Sequence, residues 1–348
     1  MSAVAPTAPV AAPRAAARGS WSLVWARLRR DRLALLSGSI LLLLSLACFV
    51  GEPLLVRLLG HGPDDPFPYA VSRFTLKPVG PWTWVPDVNY GDLPANPSRT
   101  LFVLGSDGSL GRDELLRLLA GGRVSLEIAL GAAALAVLVG AALGALAGYF
   151  GGWVDAGISR LTELVMAFPL LLLVIAIGQT VADRFDFVTL RGAFEPGVIS
   201  LAAVIGAFTW FYPARIVRAE VLALRNQEFV EAARVSGASE LRIVRKHVLP
   251  HLAAPLAVWG TLIVGSNVIL EAALSFLNMG VRLPTPSWGN MLSQNWGTLL
   301  AYDQGGVPGI EKTNWTMFWP TAFVFVTVLA LALFGEGLRR AIDPRSDA

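Results

Sequence analysis

The chain has 348 residues, of which 54% are hydrophobic and only 15% charged, with a formal net charge of +3. A soluble domain carries roughly 25% charged residues, and several apolar runs here reach the ~20 residues that cross a bilayer core, which excludes an ordinary soluble enzyme and leaves nothing pointing to nucleic acid. A single cysteine, Cys48, excludes an intrachain disulfide and any cysteine-based metal cluster.

Residues 1–19 are rich in Ala and Pro and are expected to be disordered. In residues 20–32, Trp21, Val24, Trp25 and Leu28 share one helical face, while Arg27, Arg29, Arg30 and Arg32 lie largely around the other. This suits a helix lying in the membrane interface or a basic flank to the first span, and both place it in the cytoplasm. Residues 33–50 read as the first span. Gly51, Glu52 and Pro53 follow it without a small-x-small cleavage site, against a signal peptide. Leu46-Ala47-Cys48 weakly resembles a lipoprotein site, but Ser45 precedes it and further spans follow. Residues 51–115 form a long loop outside the membrane, whose Trp82 and Trp84 either rest on the interface or meet a partner.

Five more spans follow, at 124–149, 161–182, 197–219, 252–279 and 316–338, giving an all-α polytopic protein of six transmembrane helices. Gly140, Gly144 and Gly148 line one face of the second span and allow another backbone to come close. Pro169, Pro213 and Pro320 fall within the third, fourth and sixth. Two carboxylates stand inside spans, where they usually face a bundle interior or a water-filled path. Glu163 is read as a packing contact; Glu271 is read as either packing or lining a path. With the N-terminus inside, residues 1–32, 150–160, 220–251 and 339–348 are cytoplasmic. Seventeen basic residues then lie inside, counting Arg215 and Arg218, against eleven outside.

The loop at 220–251 holds the longest polar segment between spans in the second half of the chain. Phe229, Ala232, Ala233 and Ser236 fall at helical spacing; Gly237 interrupts; Ser239 is an N-cap candidate. Leu241, Val244 and Val248 then begin a second short stripe that Pro250 is expected to stop. The pattern is helix, turn, helix, with an apolar face offered to a separate protein.

EAARVSGASELRIVRKHVLP, residues 231–250, resembles the EAA loop of bacterial ABC importer permeases. Glu231-Ala232-Ala233, Gly237 six residues after the Glu, and Leu249-Pro250 sit at that family's spacing, with His247 where the peptide-permease branch commonly has His. LGSDGSLGRDELLRLLAGGRVSL (104–126), GYFGGWVD (148–155), EAALSFLNMGVRLPTPSWGNML (271–292) and GLRRAIDPR (337–345) are similar to segments of the C-type subunit of the dipeptide/oligopeptide/nickel permeases. The sequence departs from that pattern with three residues between Asp107 and Gly111, with Ser106 for Thr, His251 for Asn and Asn278 for Gly, and with an unmatched stretch at 60–100.

The resemblance implies a type I importer permease fold in a bacterial cytoplasmic membrane, with residues 116–338 as its core and both termini in the cytoplasm. It implies a homologous permease partner, two ABC ATPase subunits that bind ATP and Mg, a solute-binding protein outside, and lipid around the spans. Glu231, Ala232, Ala233, Gly237, His247, Leu249 and Pro250 would then dock the ATPase, with Arg234, Arg242, Arg245 and Lys246 pairing there or remaining solvated. Asp107, Arg112, Asp113 and Trp288 would lie on the binding-protein side, though PTPSWGN could equally be a rigid loop. The three lysines, Lys77, Lys246 and Lys312, lack P-loop context, so this chain is expected to be neither the ATPase nor the holder of any cofactor. H-E-x-x-H and G-x-S-x-G are absent, against an embedded enzyme, and no repeated halves suggest a secondary transporter. Peptides lead as cargo, with nickel, glutathione or modified peptides as alternatives.

Overall fold

Two of the helices that follow start at a single carboxylate. Asp31 accepts from the backbone N–H groups of Leu33 and Ala34, and Asp113 from those of Leu115 and Leu116, which satisfies donors that a helix leaves orphaned. The computed structural model describes residues 20–72, 78–88, 97–108, 110–185, 194–303 and 315–342. The expectation of disorder over 1–19 lies outside these.

Helix α1 (Ser20–Leu28) turns into α2 (Arg32–Leu46), which passes through a π-helical turn at Ala47–Gly51 into α3 (Glu52–Leu59). The first span is therefore longer than 33–50: one apolar helix runs from Arg32 to Leu59. Pro53 does not break it, because the π-helical turn just before it relaxes the hydrogen-bond ladder where the proline cannot donate. Gly60, at φ 78°, ends it. The loop beyond carries two small antiparallel hairpins, β1 (Thr83–Pro86) with β2 (Arg99–Phe102) and β3 (Ser106–Asp107) with β4 (Arg112–Asp113).

Helix α4 (Glu114–Phe150) is the axis of the remaining structure. After it come α5 (Gly152–Met166), α6 (Leu170–Phe185), α7 (Val198–Thr209), α8 (Phe211–Leu224), α9 (Glu228–Val235), α10 (Glu240–Ile243), α11 (Leu249–Phe276), α12 (Trp288–Asp303) and α13 (Trp315–Ile342). One side of α4 packs on α7 and α8, another on α11; α13 then joins α11 to α2. Four helices are long and apolar enough to cross a membrane, and two bent pairs bring the total to six if each pair is one span.

The bends correct the third and fourth spans. Helices α5 and α6 meet at 87° where a straight 161–182 helix was expected. Pro169 has no N–H to donate and pushes Phe168 away from helical geometry, so the chain turns there. Glu163 thereby leaves the expected packing position: it lies on α5, with a side chain 63% exposed, and accepts from Arg160 at 2.7 Å. Helices α7 and α8 bend by 44° at Trp210. Helix α12 was not anticipated, because a short helix with scattered polar residues lacks the long apolar run that marks a span.

Gly140, Gly144 and Gly148 behave as their spacing predicts. An added Cβ at each would lie 2.5 Å from the Trp210 carbonyl oxygen, 2.4 Å from that of Ala214 and 2.7 Å from that of Arg218, respectively. The α4–α8 contact is thus backbone against backbone over three turns. At the N-terminus, Leu28 and Val24 pack on Ala34, Phe334 and Ala341, which fixes α1 to the end of α13.

Candidate functional site

The loop at 220–251 is built on an apolar floor. Val230 of α9 and Ile243 of α10 are buried together with Val244, Val248, Val217, Val221, Leu252 and Tyr149. Phe229 and Ala233 pack partly onto this cluster, while Ala232 and Ser236 face out. Gly237 makes the turn at φ 79°, a left-handed conformation that costs a side-chain-bearing residue ~1–2 kcal/mol. Nothing lies within 4 Å of where its Cβ would be, so glycine is required for the backbone angle and not for space. Ser239 holds the N-cap position of α10 but makes no capping hydrogen bond there.

Pro250 does not stop the second helix. From Glu240 to Phe276 the chain is one continuous helix, with a π-helical turn at Val244–Val248 just before the proline. The wider turn relaxes the hydrogen-bond ladder where a proline cannot donate. The loop is therefore joined rigidly to the fifth span. His251 stacks on Phe229 with ring centroids 5.0 Å apart, and its Nδ1 lies 2.6 Å from the His247 carbonyl oxygen.

The tip of the loop is apolar and uncovered. Val235 is 90% exposed and Leu241 73% exposed. Leu241 thus lies off the buried stripe assigned to it, and Ile243 takes that place. Glu231 is exposed, and its carboxylate has no hydrogen-bond partner among the described residues. Arg234 instead turns inward: its Nε lies 3.5 Å from Glu240, and its Nη2 donates to the Tyr149 hydroxyl at 3.4 Å. The Tyr149 hydroxyl in turn donates to Glu240.

On the opposite side, the residues expected to face a binding protein are buried. Asp107, Arg112, Asp113 and Trp288 are each at most 5% exposed. Asp107 accepts from Asn295 at 2.6 Å and lies 3.3 Å from Arg112 and 2.5 Å from Arg117. Arg117 also pairs with Asp64, and Arg112 donates to Gln294 at 2.5 Å. Asp113 caps α4 and lies 3.3 Å from His61 Nε2. Burial opposes charge on the His61 ring, but the hydrogen bond and charge of Asp113 outweigh it and raise its pKa. Burial, aided by Arg117, lowers the Arg112 value. Trp288 opens α12, with Nε1 donating to the Leu118 carbonyl at 3.0 Å. These side chains tie the loop after α3 to α4 and α12 and are themselves enclosed among the described residues.

Glu271 is likewise sealed. It has no exposed surface and accepts from Ser275 at 2.7 Å. Its Oε2 makes no well-formed hydrogen bond, although the Ser125 and Ser287 hydroxyls stand close. Ser125 also accepts from the Trp288 backbone at 3.2 Å, and Asn290 donates to the Val281 carbonyl at 2.8 Å. The expected place on a path does not fit these surroundings, which cross-link α4, α11 and α12. Glu271→Ala is therefore expected to cost ~1–3 kcal/mol of stability by stranding buried hydroxyls, read as a lower melting temperature, while Glu271→Gln, which still accepts, stays close to wild type. A Gln variant that melts normally but no longer transports would restore the path reading.

Asn278, where the resembling family has glycine, adopts φ 58°. Asparagine enters this left-handed region more easily than other side chains, which explains its presence there.

Residues 118–347 match the model of the binding-protein-dependent transport system inner membrane component, and residues 19–78 match the N-terminal TM domain of oligopeptide transport permease C. The oligopeptide transport system permease protein OppC of Haemophilus influenzae is 34% identical over 77% of this chain and 79% of its own length. The di/tripeptide transport system permease protein DppC of Pseudomonas aeruginosa is 36% identical over 76% of this chain and 82% of its own. The glutathione transport system permease protein GsiD of Pectobacterium atrosepticum is 30% identical over 94% of this chain and 92% of its own.

Proposed function

The chain belongs to the binding-protein-dependent transport system inner membrane components, and from that membership we propose that it is the permease subunit of an ATP-driven importer of di- and oligopeptides. Its six-span type I permease fold would form half of the translocation path, with a homologous permease forming the other half. Two ATPase subunits carrying ATP and Mg would sit on the cytoplasmic side. A solute-binding protein would deliver cargo from outside. Both termini would lie in the cytoplasm, as the basic residues of 1–32, 215–251 and 339–345 favour. The relatives named for oligopeptides, di/tripeptides and glutathione all carry peptides, linear or modified, which supports that cargo class over a metal ion.

The observation that carries this reading is the loop tip. Val235 stands exposed at the end of α9 and Leu241 on α10, which is continuous with the fifth span, and no described element of this chain covers them. A small apolar knob on a rigid arm suits insertion into a groove on a moving partner. The double variant Val235→Asp, Leu241→Asp is expected to reduce co-purification of the ATPase at least about tenfold, equivalent to ~1.4 kcal/mol, while the permease still accumulates in the membrane. Reconstitution with the partner subunits and binding protein in proteoliposomes tests the whole reading. Uptake of a labelled peptide should require internal or external ATP on the ATPase side; uptake without ATP or without the ATPase would overturn it.

A further inference from the structure

We propose that Tyr149, Arg234 and Glu240 form a clamp that carries movement of the cytoplasmic loop into the second span, and so act as positioning residues for transport. This rests on the ATPase-docking role proposed above for the loop. Helices α9 and α10 meet at Gly237, whose surroundings are open and whose turn is closed by two backbone hydrogen bonds, Gly237 N–H to the Arg234 carbonyl at 3.0 Å and Ala238 N–H to the Ala233 carbonyl at 3.1 Å. That turn is the point between the two helices most able to give under a push on the exposed tip. Arg234 reaches across it from the last turn of α9 to Glu240, the first residue of α10. Each charge complements its own helix end, cation at the C-terminus and anion at the N-terminus.

Tyr149 closes the bridge from a third element. It stands one residue before the end of α4, its ring buried in the same cluster as Val230 and Ile243. A phenol hydroxyl both donates and accepts. Here it donates to Glu240 and accepts from Arg234, so both helices of the loop are tied to α4 through a single oxygen. Arg234 and Glu240 are half exposed, so water screens their pair and it contributes little to the stability of the fold. The arrangement is poorly placed to hold the protein together and well placed to keep the loop from pivoting.

Tyr149→Phe tests this, because it keeps the buried ring and removes only the shared oxygen. The first measurement uses the full chain alone in nanodiscs, with nitroxide labels at the exposed Ser236 and Trp153. The variant should broaden the distance distribution between them while the melting temperature stays at the wild-type value. The second measurement uses the reconstituted transporter, where peptide imported per ATP hydrolysed should fall about fivefold. With Tyr149 in place, Arg234→Glu alone or Glu240→Arg alone should also lower that ratio, and the two together should recover part of it, since the tyrosine hydroxyl can serve either arrangement. An unchanged distance distribution would overturn the clamp. A broadened distribution with an unchanged transport ratio would overturn its role in coupling. A wild-type transporter that imports no peptide on ATP would instead refute the functional reading, and the label distances would still decide whether the clamp exists.

Discussion

Arg117→Ala is expected to prevent the protein from accumulating in the membrane, or to leave a fraction that melts far below wild type. The Arg117 side chain has no exposed surface and pairs with both Asp107 and Asp64. Asp107 is itself fully buried, and its other partners are Asn295 and Arg112, the latter shared with Gln294. Truncating the arginine leaves a buried carboxylate short of its closest cation. Breaking such a pair from one side costs ~3–5 kcal/mol, a large part of the ~5–15 kcal/mol that holds a typical protein folded. Arg117→Lys should be intermediate, because an ammonium keeps the charge but cannot span two carboxylates with a planar fork. Adding Asp107→Asn to Arg117→Ala should recover part of the loss by removing the stranded charge. Thermal melting of the detergent-purified variants measures all three. If Arg117→Ala melts within a degree or two of wild type, the buried network does not hold the outer loop.

The same network shows where sequence reasoning succeeds and where it stops. Apolar runs located the membrane helices because length and hydropathy are local properties. The spacing of Gly140, Gly144 and Gly148 foretold a close helix contact for the same reason. Helix ends were harder. The first span continues to Leu59 and the fifth begins at Glu240, because π-helical turns carry the helices past Pro53 and past Pro250, the latter read as a stop. The polar residues were hardest. Asp107, Arg112 and Asp113 look like surface residues beside Gly-rich turns, and only the fold brings Asp64 and Asn295 against them. Glu271 and Glu163 show the same limit in opposite directions. The first, read as either packing or lining a path, is enclosed by Ser125 of α4, Ser275 of α11 and Ser287 just before α12; the second, read as packing, is exposed because the chain bends at Pro169. In the loop at 220–251, Gly237 follows from local pattern, but the exposed tip does not: Val235 belongs to neither expected stripe, and Leu241 lies off the one assigned to it. Tyr149 lies 85 residues from Arg234 and 91 from Glu240 in sequence, and no spacing rule connects them.

Gly144→Leu should force α4 and α8 apart and abolish assembly of the permease. Even a single methyl at this position would lie 2.4 Å from the Ala214 carbonyl oxygen and 2.9 Å from the Val217 Cβ. Neither neighbour can give way alone, since one is helix backbone and the other is anchored in the buried cluster beneath the loop. Gly144→Ala is expected to cost the ~1–3 kcal/mol of an overpacked contact, and a leucine considerably more. Gly157→Ala, on the exposed α5 with nothing near its added Cβ, is the control and should melt like wild type. The three glycines should also differ in kind. Gly140 meets α8 at its bend with α7, so enlarging it acts on the fold. Gly148 meets Arg218 and Val221, one turn before α8 hands over to the loop, and its carbonyl accepts from Arg225 at 3.3 Å. A methyl there shifts the platform on which α9 rests. Gly148→Ala should therefore retain most of the assembled protein and lose transport per ATP, whereas Gly144→Ala should lose both together. Size-exclusion chromatography for assembly, set beside the transport ratio, separates the two; equal losses at both positions would mean that the α4–α8 seam acts only as packing.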